Sequence, residues 1–513
     1  MMGMTQTAYA GDGSATWSEN ITFDDDASFE SGVNVTGNIT VTIAKDKTVT
    51  VNNGITTGNA ILTVKGKGKL IVTSNAGTAY SGSIVVDGGT VSVTGNGGGA
   101  GIEDKGTISV INGGSLKATG GNGNSFGGDG VNVNGGTISV EGGSLTATGG
   151  NGSSWGGAGI NAYYGQTISV TDGSLTATGG NGNTGGRGLF GGTINFSGGT
   201  VSLTGGNNGG AATSGVTIKC SEGGTVEQSD DGNVWTTYSG TGSTAKYVKA
   251  EVSYPLWVGG TQVTSANKDD VLGTADEGAK VKFTPATTGE NTTPAKLTLS
   301  GANITTGQTV DQNTYGIRYT GSDGLNIELA SDTDNNVIGA TQFTEGIYAA
   351  YADISISGKG KLTAKGVKDG ILASSLNIND GKITGEGEYA IFAQNDLTIN
   401  SGTVTGTGQN YGLYANGSVI IKDKAKVNAT GTDHWAIKGN VKNAIAGTGW
   451  TDTAGTQDKT DIAVNTTGQT LDSYKKVQFP AEYPLWVGGT QVTSANKDNV
   501  LNDEGKTVSF TRP

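Results

Sequence analysis

Apolar-x-apolar triplets recur along the first half of the chain at a nearly constant phase. They stand at Leu62-Thr63-Val64, Ile84-Val85-Val86, Ile108-Ser109-Val110, Ile138-Ser139-Val140, Ile168-Ser169-Val170 and Ile194-Asn195-Phe196. A second series trails the first by 7 or 8 residues, at Leu70, Val91, Leu116, Leu145, Leu175 and Val201. Turn residues such as Asp87-Gly88-Gly89 and Asn112-Gly113-Gly114 fill the short gap. The second half repeats the arrangement at Ile354/Leu362, Leu376/Ile383, Leu397/Val404 and Val419/Val427. A Gly-aliphatic pair marks a third segment on the longer way back: Gly101-Ile102, Gly130-Val131, Gly159-Ile160 and Gly188-Leu189, then Gly346-Ile347, Gly370-Ile371 and Gly412-Leu413. Alternating triplets are half-buried strands. Three of them in each turn of about 21 to 30 residues predict an all-β fold, a right-handed three-sided parallel β-helix. Each coil would pair with those above and below at about 4.8 Å, and stacking would supply the core that no coil buries alone. Ile138 and Ile168 should then be inward-facing parallel neighbours. The alternative, a β-sandwich, predicts antiparallel hairpins without constant corner spacing.

A coarser repeat divides the chain. The block YPLWVGGTQVTSANKD runs from Tyr254 to Asp269 and again, unchanged, from Tyr483 to Asp498. Upstream, Tyr247-Val248-Lys249 corresponds to Tyr474-Lys475-Lys476-Val477. This predicts two tandem modules, residues 11–253 and 254–482, each closed by a C-terminal β cap, with 483–513 as the truncated start of a third. Ala8-Tyr9-Ala10 before Gly11 fits a small-residue cleavage pattern, so residues 1–10 read as the remnant of an export signal. The expected location is extracellular or the bacterial cell surface.

Composition narrows the function. With 92 glycines, 6 prolines and no G-X-Y register, collagen is excluded. The abundance of β-branched and small polar residues argues against helices. A net charge of −13 with only Arg187, Arg318 and Arg512 as arginines leaves little to neutralise phosphates, so nucleic acid is not an expected partner. No apolar run approaches a transmembrane span. A single cysteine, Cys220, and a single histidine, His434, exclude an internal disulfide and a histidine-rich metal site.

Three near-copies of A-T-G-G-N-G, at 118–123, 147–152 and 177–182, invite comparison with calcium-binding glycine repeats. The aspartate such a repeat needs is replaced by Ser125, Ser154 and Thr184. Their glycines read as positive-φ turns between closely stacked chains. The following loops carry Phe126 and Trp155 at equivalent places, with Tyr163 and Tyr164 downstream. In the second half, the residue after each third-strand aliphatic should face outward. That column reads Arg318, Tyr348, Leu372, Phe392, Tyr414 and Lys438. Tyr348, Phe392 and Tyr414, with Phe126, Trp155, Tyr163 and Tyr164, are the candidate ligand-binding residues; the alternative for the outward stripe is packing against a loop or module. Tyr389, Tyr411 and Trp435 form a neighbouring column that parity places inward or at a corner, where packing is preferred. The Thr-x-Thr ladder (Thr146/Thr148, Thr176/Thr178) resembles ice-binding faces but spans only two full rungs.

Catalysis would require converging residues. Asp24-Asp25-Asp26 precedes the regular coils, Asp332, Asp334, Asp369 and Glu345 read as scattered over loops, and His434 stands alone. No catalytic residues are expected.

Lines such as GKGKLTAKGVKDGI and LNINDGKITGEGEYAIFA resemble the bacterial secreted carbohydrate-binding-domain β-helix proteins, related in fold to pectate lyases. The 16-residue block is similar to the opening of repeats in large surface proteins of gut Firmicutes. The resemblance implies an exported surface protein binding acidic plant polysaccharides, with calcium near Asp-Asp-Gly-Ile turns. The matching turns here are Lys368-Asp369-Gly370-Ile371, Glu388-Tyr389-Ala390-Ile391, Asn410-Tyr411-Gly412-Leu413 and His434-Trp435-Ala436-Ile437, of which only the first keeps the aspartate. The expectation is therefore no cofactor, with calcium the one candidate. The expected function is non-catalytic, adhesin-like binding of polysaccharide or a host surface glycan or protein, by modules that are monomeric within a longer chain. The alternatives are a structural stalk and a polysaccharide lyase.

Overall fold

A computed structural model describes residues 15–501, apart from 105, 222, 275–277, 279, 288–292, 340–342, 444–447, 453–459, 464–467, 472–473, 481, 494–495 and 497–499, together with 509. The chain divides into two compact units, Met1–Ser253 and Tyr254–Pro513. Both are parallel β-helices. Among the described residues the only helical element is a single 3-10 turn, Tyr163–Gly165. None of these residues forms a helix long and apolar enough to cross a membrane.

In the first unit, three columns of parallel pairs run through successive coils. On the first face Ile84, Ile108, Ile138, Ile168, Ile194 and Ile218 are consecutive partners. On the second the sequence is Leu70, Val91, Leu116, Leu145, Leu175 and Val201. On the third it is Tyr80, Ile102, Val131, Ile160, Leu189 and Thr213. Side chains alternate along each strand, so one triplet sends its outer members inward and its middle residue to the surface. Ile138 and Ile168 face each other across a parallel ladder, and both are buried. Each buried aliphatic of this kind contributes roughly 1.5–3 kcal/mol. The tight corner between first and second faces turns on left-handed residues, Asn112 (φ 52°) and Gly113 (φ 76°) among them.

A β-helix leaves an open strand edge at each end, and this chain closes them in different ways. The opening coil of the first unit buries one aromatic from each face, Trp17, Phe23 and Phe29. The Phe29 ring meets Trp17 edge-on at 5.4 Å and Phe23 at 6.1 Å. The far end is closed by reversal: residues 247–251 run antiparallel to Thr200–Thr204, with Thr204 opposite Tyr247 and Thr200 opposite Glu251.

The second unit has the same three faces. Leu325, Ile354, Leu376 and Leu397 are consecutive on the first, Leu362, Ile383 and Val404 on the second. Ile317, Ile347, Ile371, Ile391, Leu413 and Ile437 form the third. Here reversal closes both ends. Residues 256–258 lie antiparallel on the opening third-face strand, Asn313–Tyr319, and Val281–Thr284 lies antiparallel on Ala295–Leu299. At the other end Lys476–Phe479 covers the second face, with Val427 opposite Phe479. These strands satisfy backbone groups that would otherwise recruit another chain.

The alternation makes a direct prediction. Leu145→Ala should destabilise the protein by about 2–5 kcal/mol through the cavity it leaves. Its outward neighbour Thr146→Ala should stay within about 0.5 kcal/mol. Urea midpoints of the two variants against the parent check both.

Candidate functional site

The outward column of the second unit forms in the expected register: Arg318, Tyr348, Leu372, Phe392, Tyr414 and Lys438 are consecutive parallel partners. Its rings cover one another. Phe392 and Tyr414 stack at 4.5 Å with an interplanar angle of 6°. Tyr348 lies 4.9 Å from Tyr315, and Leu372 fills the rung between Tyr348 and Phe392 and is buried. The aromatics of the column are half-buried rather than open.

A second set of rings joins them from the corner. Tyr389 and Tyr411 stack at 5.9 Å, and Tyr414 lies 5.6 Å from Tyr389 and 5.4 Å from Tyr411. His434 follows, 5.8 Å from Tyr411. The strand shifts register between Gly387 and Tyr389. That shift ends strict alternation and leaves Tyr389 and Tyr411 half-buried at the corner, packed against the outward column. Trp435 is also half-buried, with the Lys475 ammonium 5.7 Å from its ring. Tyr351 is the most open ring of the group, 6.4 Å from Tyr348 and edge-on to it. Partial burial, then the hydrogen bond with Tyr351, push the Tyr348 hydroxyl up to about 12. Tyr351 escaped sequence reasoning because it follows the strand end at Ala349 instead of sitting in a repeating column.

Beside these rings lies a pair of acids, Glu345 and Asp369, that on sequence read as scattered over loops. Glu345 and Asp369 are partners on adjacent third-face strands, with Tyr315 before them and Tyr389 after. Glu345 is buried, and Asp369 has 0% of its surface exposed. Among the described residues neither Asp369 oxygen has a hydrogen-bond partner, nor does Oε2 of Glu345. The Lys368 ammonium stands 3.9 Å from Glu345 Oε1. Burial raises the Asp369 carboxyl to about 7 and Glu345 and Glu388 add to the rise, while Lys368 opposes it. Burial likewise raises Glu345. Two carboxyls one rung apart, about 4.8 Å along the axis, resist ionising together. Among the described residues no three His, Cys, Asp or Glu side chains converge to hold a metal ion.

The first unit carries a different construction. Between its second and third faces the A-T-G-G-N-G segments open into a glycine arm of two stacked layers. Its hydrogen bonds zigzag from rung to rung: the Gly121 amide donates to Gly99, Gly128 to Gly121, Gly150 to Gly128, Gly157 to Gly150 and Gly180 to Gly157, at 2.7–2.9 Å. A Cβ on Gly157 would lie 2.0 Å from the Gly128 carbonyl oxygen, and one on Gly180 1.9 Å from that of Gly150. None of these residues has a positive φ. The expectation of positive-φ turns is thus corrected: glycine is required here by close approach of backbone to backbone, not by handedness. The asparagine of the motif has its own role. Asn122 Oδ1 accepts the Asn151 amide, Asn151 Oδ1 that of Asn181, and Asn181 Oδ1 that of Asn207, at 2.8–2.9 Å.

At the arm's tip Phe126 and Trp155 are paired by a parallel bridge, as Trp155 is with Thr184. They are 65% and 48% exposed, an aromatic pair open to solvent. Tyr163 is not with them. It occupies the turn between third and first faces, exposed, with its ring 4.9 Å from Phe190. The Tyr164 side chain lies outside the described residues. A shallow cleft of about 370 Å³ opens between Val216, Ile218, Val226 and Tyr238. The Tyr238 hydroxyl is already hydrogen-bonded with Thr213 and the Val216 carbonyl.

No protein-family model, curated protein or solved structure matches this chain.

Two outcomes follow from this geometry. Gly157→Ala should cost about 3 kcal/mol or more, because no flexible atom can yield to the new methyl. Gly113→Ala, at an open left-handed corner, should cost about 1–2 kcal/mol; denaturant melts rank the two. The second concerns pH. Folded Asp369 keeps its proton to about pH 7, whereas the unfolded carboxyl loses it near 3.8. Between those values the folded state binds the extra proton, so this group's contribution falls as pH rises from about 4 to 7 and is level above. Asp369→Asn should therefore gain stability relative to the parent between pH 4.5 and 8, by at most about 4 kcal/mol. Urea unfolding at the two pH values measures it.

Proposed function

We propose that this is an exported, surface-located, non-catalytic β-helix protein that binds a polysaccharide along the third face of its second unit. The observation that carries the reading is the ring-lined strip itself. Tyr348 with Tyr351, Tyr389 with Phe392, and Tyr411 with Tyr414 place two rings on each of three rungs, interrupted only by Leu372. The stacked rings offer apolar edges and hydroxyls to a sugar, and the exposed Tyr351 offers a ring face for its C–H side. The rung spacing of about 4.8 Å is close to the length of one pyranose in an extended chain. A polymer lying along the axis would thus meet equivalent rings at successive sugars. The net charge of −13 favours a neutral polymer over the acidic ones that the family resemblance implies. Phe126 and Trp155 offer a second contact patch on the first unit, and Tyr163 a separate one.

One observation favours a purely structural role, a stalk that binds nothing. Phe392 and Tyr414 are half-buried and stack face to face, so each spends a ring face on the other.

Binding to a glycan array and to insoluble polysaccharides separates the two. The parent should bind at least one neutral polysaccharide. Tyr348→Ala, Phe392→Ala and Tyr414→Ala together should weaken binding at least tenfold, about 1.4 kcal/mol, with unchanged far-UV circular dichroism. Undiminished binding by the triple variant removes the residue assignment, and an array without any signal leaves the stalk.

A further inference from the structure

The repeated block gives this chain an internal control, because one sequence occurs in two environments. In the first copy, Leu256 and Val258 are both 0% exposed. Leu256 stands opposite Tyr319 and Val258 opposite Ile317, antiparallel on the opening strand of a β-helix coil. Between them Trp257 faces Arg318, whose guanidinium carbon lies 5.4 Å from the indole ring. Leu272 packs on the same core.

The second copy folds locally in the same way. Glu482–Val487 and Thr490–Thr493 form a hairpin, with Trp486 opposite Gln491 and Val487 opposite Thr490. The Thr493 amide donates to Asn496 Oδ1, as the Thr264 amide does to Asn267 Oδ1. Val492 and Val500 are buried, like Val263 and Val271. The outer side differs. Leu485, the counterpart of Leu256, is 38% exposed; Trp486 is 62% exposed and Leu501, the counterpart of Leu272, 42%. Among the described residues no strand but Thr490–Thr493 pairs with Glu482–Val487.

We propose that the hairpin at residues 482–493 is a docking edge for the opening coil of a further β-helix module, which lays an aliphatic-Arg-aromatic strand antiparallel against Leu485-Trp486-Val487. The identical block already seated on Ile317-Arg318-Tyr319 supplies the complementarity: two aliphatic side chains enter the coil and the indole receives the guanidinium. An apolar strand edge exposed in this way pairs readily with another strand. The matching strand in a second copy of this chain is already covered by its own residues 256–258, held there intramolecularly. A separate coil of the same kind is therefore the favoured occupant.

Hydrogen–deuterium exchange tests this with equal intrinsic rates in the two copies, read on peptides that reach the differing flanks at 252–253 and 481–482. In the full chain, amides 485–487 should exchange at least 100-fold faster than 256–258. The full chain extended after Pro513 by a second copy of residues 287–480 supplies the coil. There, amides 485–487 should become as protected as 256–258, and Trp486 emission should shift to the blue. Changing the added copies of Ile317 and Tyr319 to lysine should abolish both effects, while residues 256–258 of the same molecule report that the original unit stays folded. Equal protection of both copies in the unextended chain overturns the proposal. Protection of 485–487 that rises with chain concentration assigns the edge to a second copy and overturns it too, as does an extended chain in which 485–487 remain unprotected.

Discussion

Registration of every coil on its neighbour governs what each position of this chain can be. Parallel pairing at about 4.8 Å sets each residue directly above its counterpart, so chemistry is arranged in columns and a column must tolerate itself. Isoleucine and leucine do so by packing. Asparagine does so because one side chain accepts the next rung's amide, as from Asn122 through Asn151 and Asn181 to Asn207. Aromatic rings stack, as Phe392 does on Tyr414. Charges succeed when they alternate: Lys361 meets Asp334 at 2.9 Å and Lys365 meets Glu386 at 3.0 Å on adjacent rungs of the second face. These exposed pairs add little stability, and in solvent a like pair is tolerated too, since Lys361 is also the partner of the exposed Lys382. Glu345 over Asp369 is a like pair without solvent to screen it, and a retained proton resolves the conflict there.

The same registration explains what could be read without coordinates. The triplets and Gly-aliphatic pairs disclosed all three faces, and counting from Ile347 or Ile391 placed Tyr348 and Phe392 in one outward column. Period-2 reasoning fails where the strand bends, which is why Tyr389 and Tyr411 could only be placed inward or at a corner, and why Glu345 and Asp369 looked unrelated. Both acids occupy the place two residues before the aliphatic, taken by tyrosine at 315, 389 and 411; aligning the turns as a column would have brought them together. The glycine arm was harder. Glycine serves both for left-handed turns and for close contact, and its letters do not distinguish the two. The regular spacing of 29 residues from Gly121 to Gly150 and 30 from Gly150 to Gly180 was the available clue, since positions that repeat in step with the coils lie above one another.

A stack of coils also has no intrinsic length, so its ends must be imposed. This chain uses bulk at one place, where Trp17, Phe23 and Phe29 fill an opening coil, and reversal of strand direction at others. Reversal is the sharper device, because an antiparallel strand consumes the free hydrogen-bonding edge yet does not present the parallel edge on which another coil would continue. The block at 254–269 works this way, and its cost is an apolar hairpin whose Leu256 and Val258 need a coil to cover them. The second copy of that hairpin holds Leu485 and Trp486 in solvent, the side chains whose counterparts in the first copy lie on a coil.

The stacked rings of the second unit pack on one another, and the binding role proposed for them need not compete with that packing. A ring held by neighbours above and below has already lost its rotamer freedom, so a ligand that meets it incurs less ordering entropy. What stacking removes is access to ring faces: along Phe392 and Tyr414 a ligand meets edges and hydroxyls, such as the Tyr414 hydroxyl that donates to Asn416 at 2.7 Å. Faces remain where the stack is interrupted. Leu372 separates Tyr348 from Phe392, and Tyr351 stands edge-on to Tyr348 and outside the column. A sugar would therefore bring its C–H face to Tyr351 and its hydroxyls to the edges of the stack. On that proposed reading, the interruption at Leu372 would matter as much to recognition as the rings on either side of it.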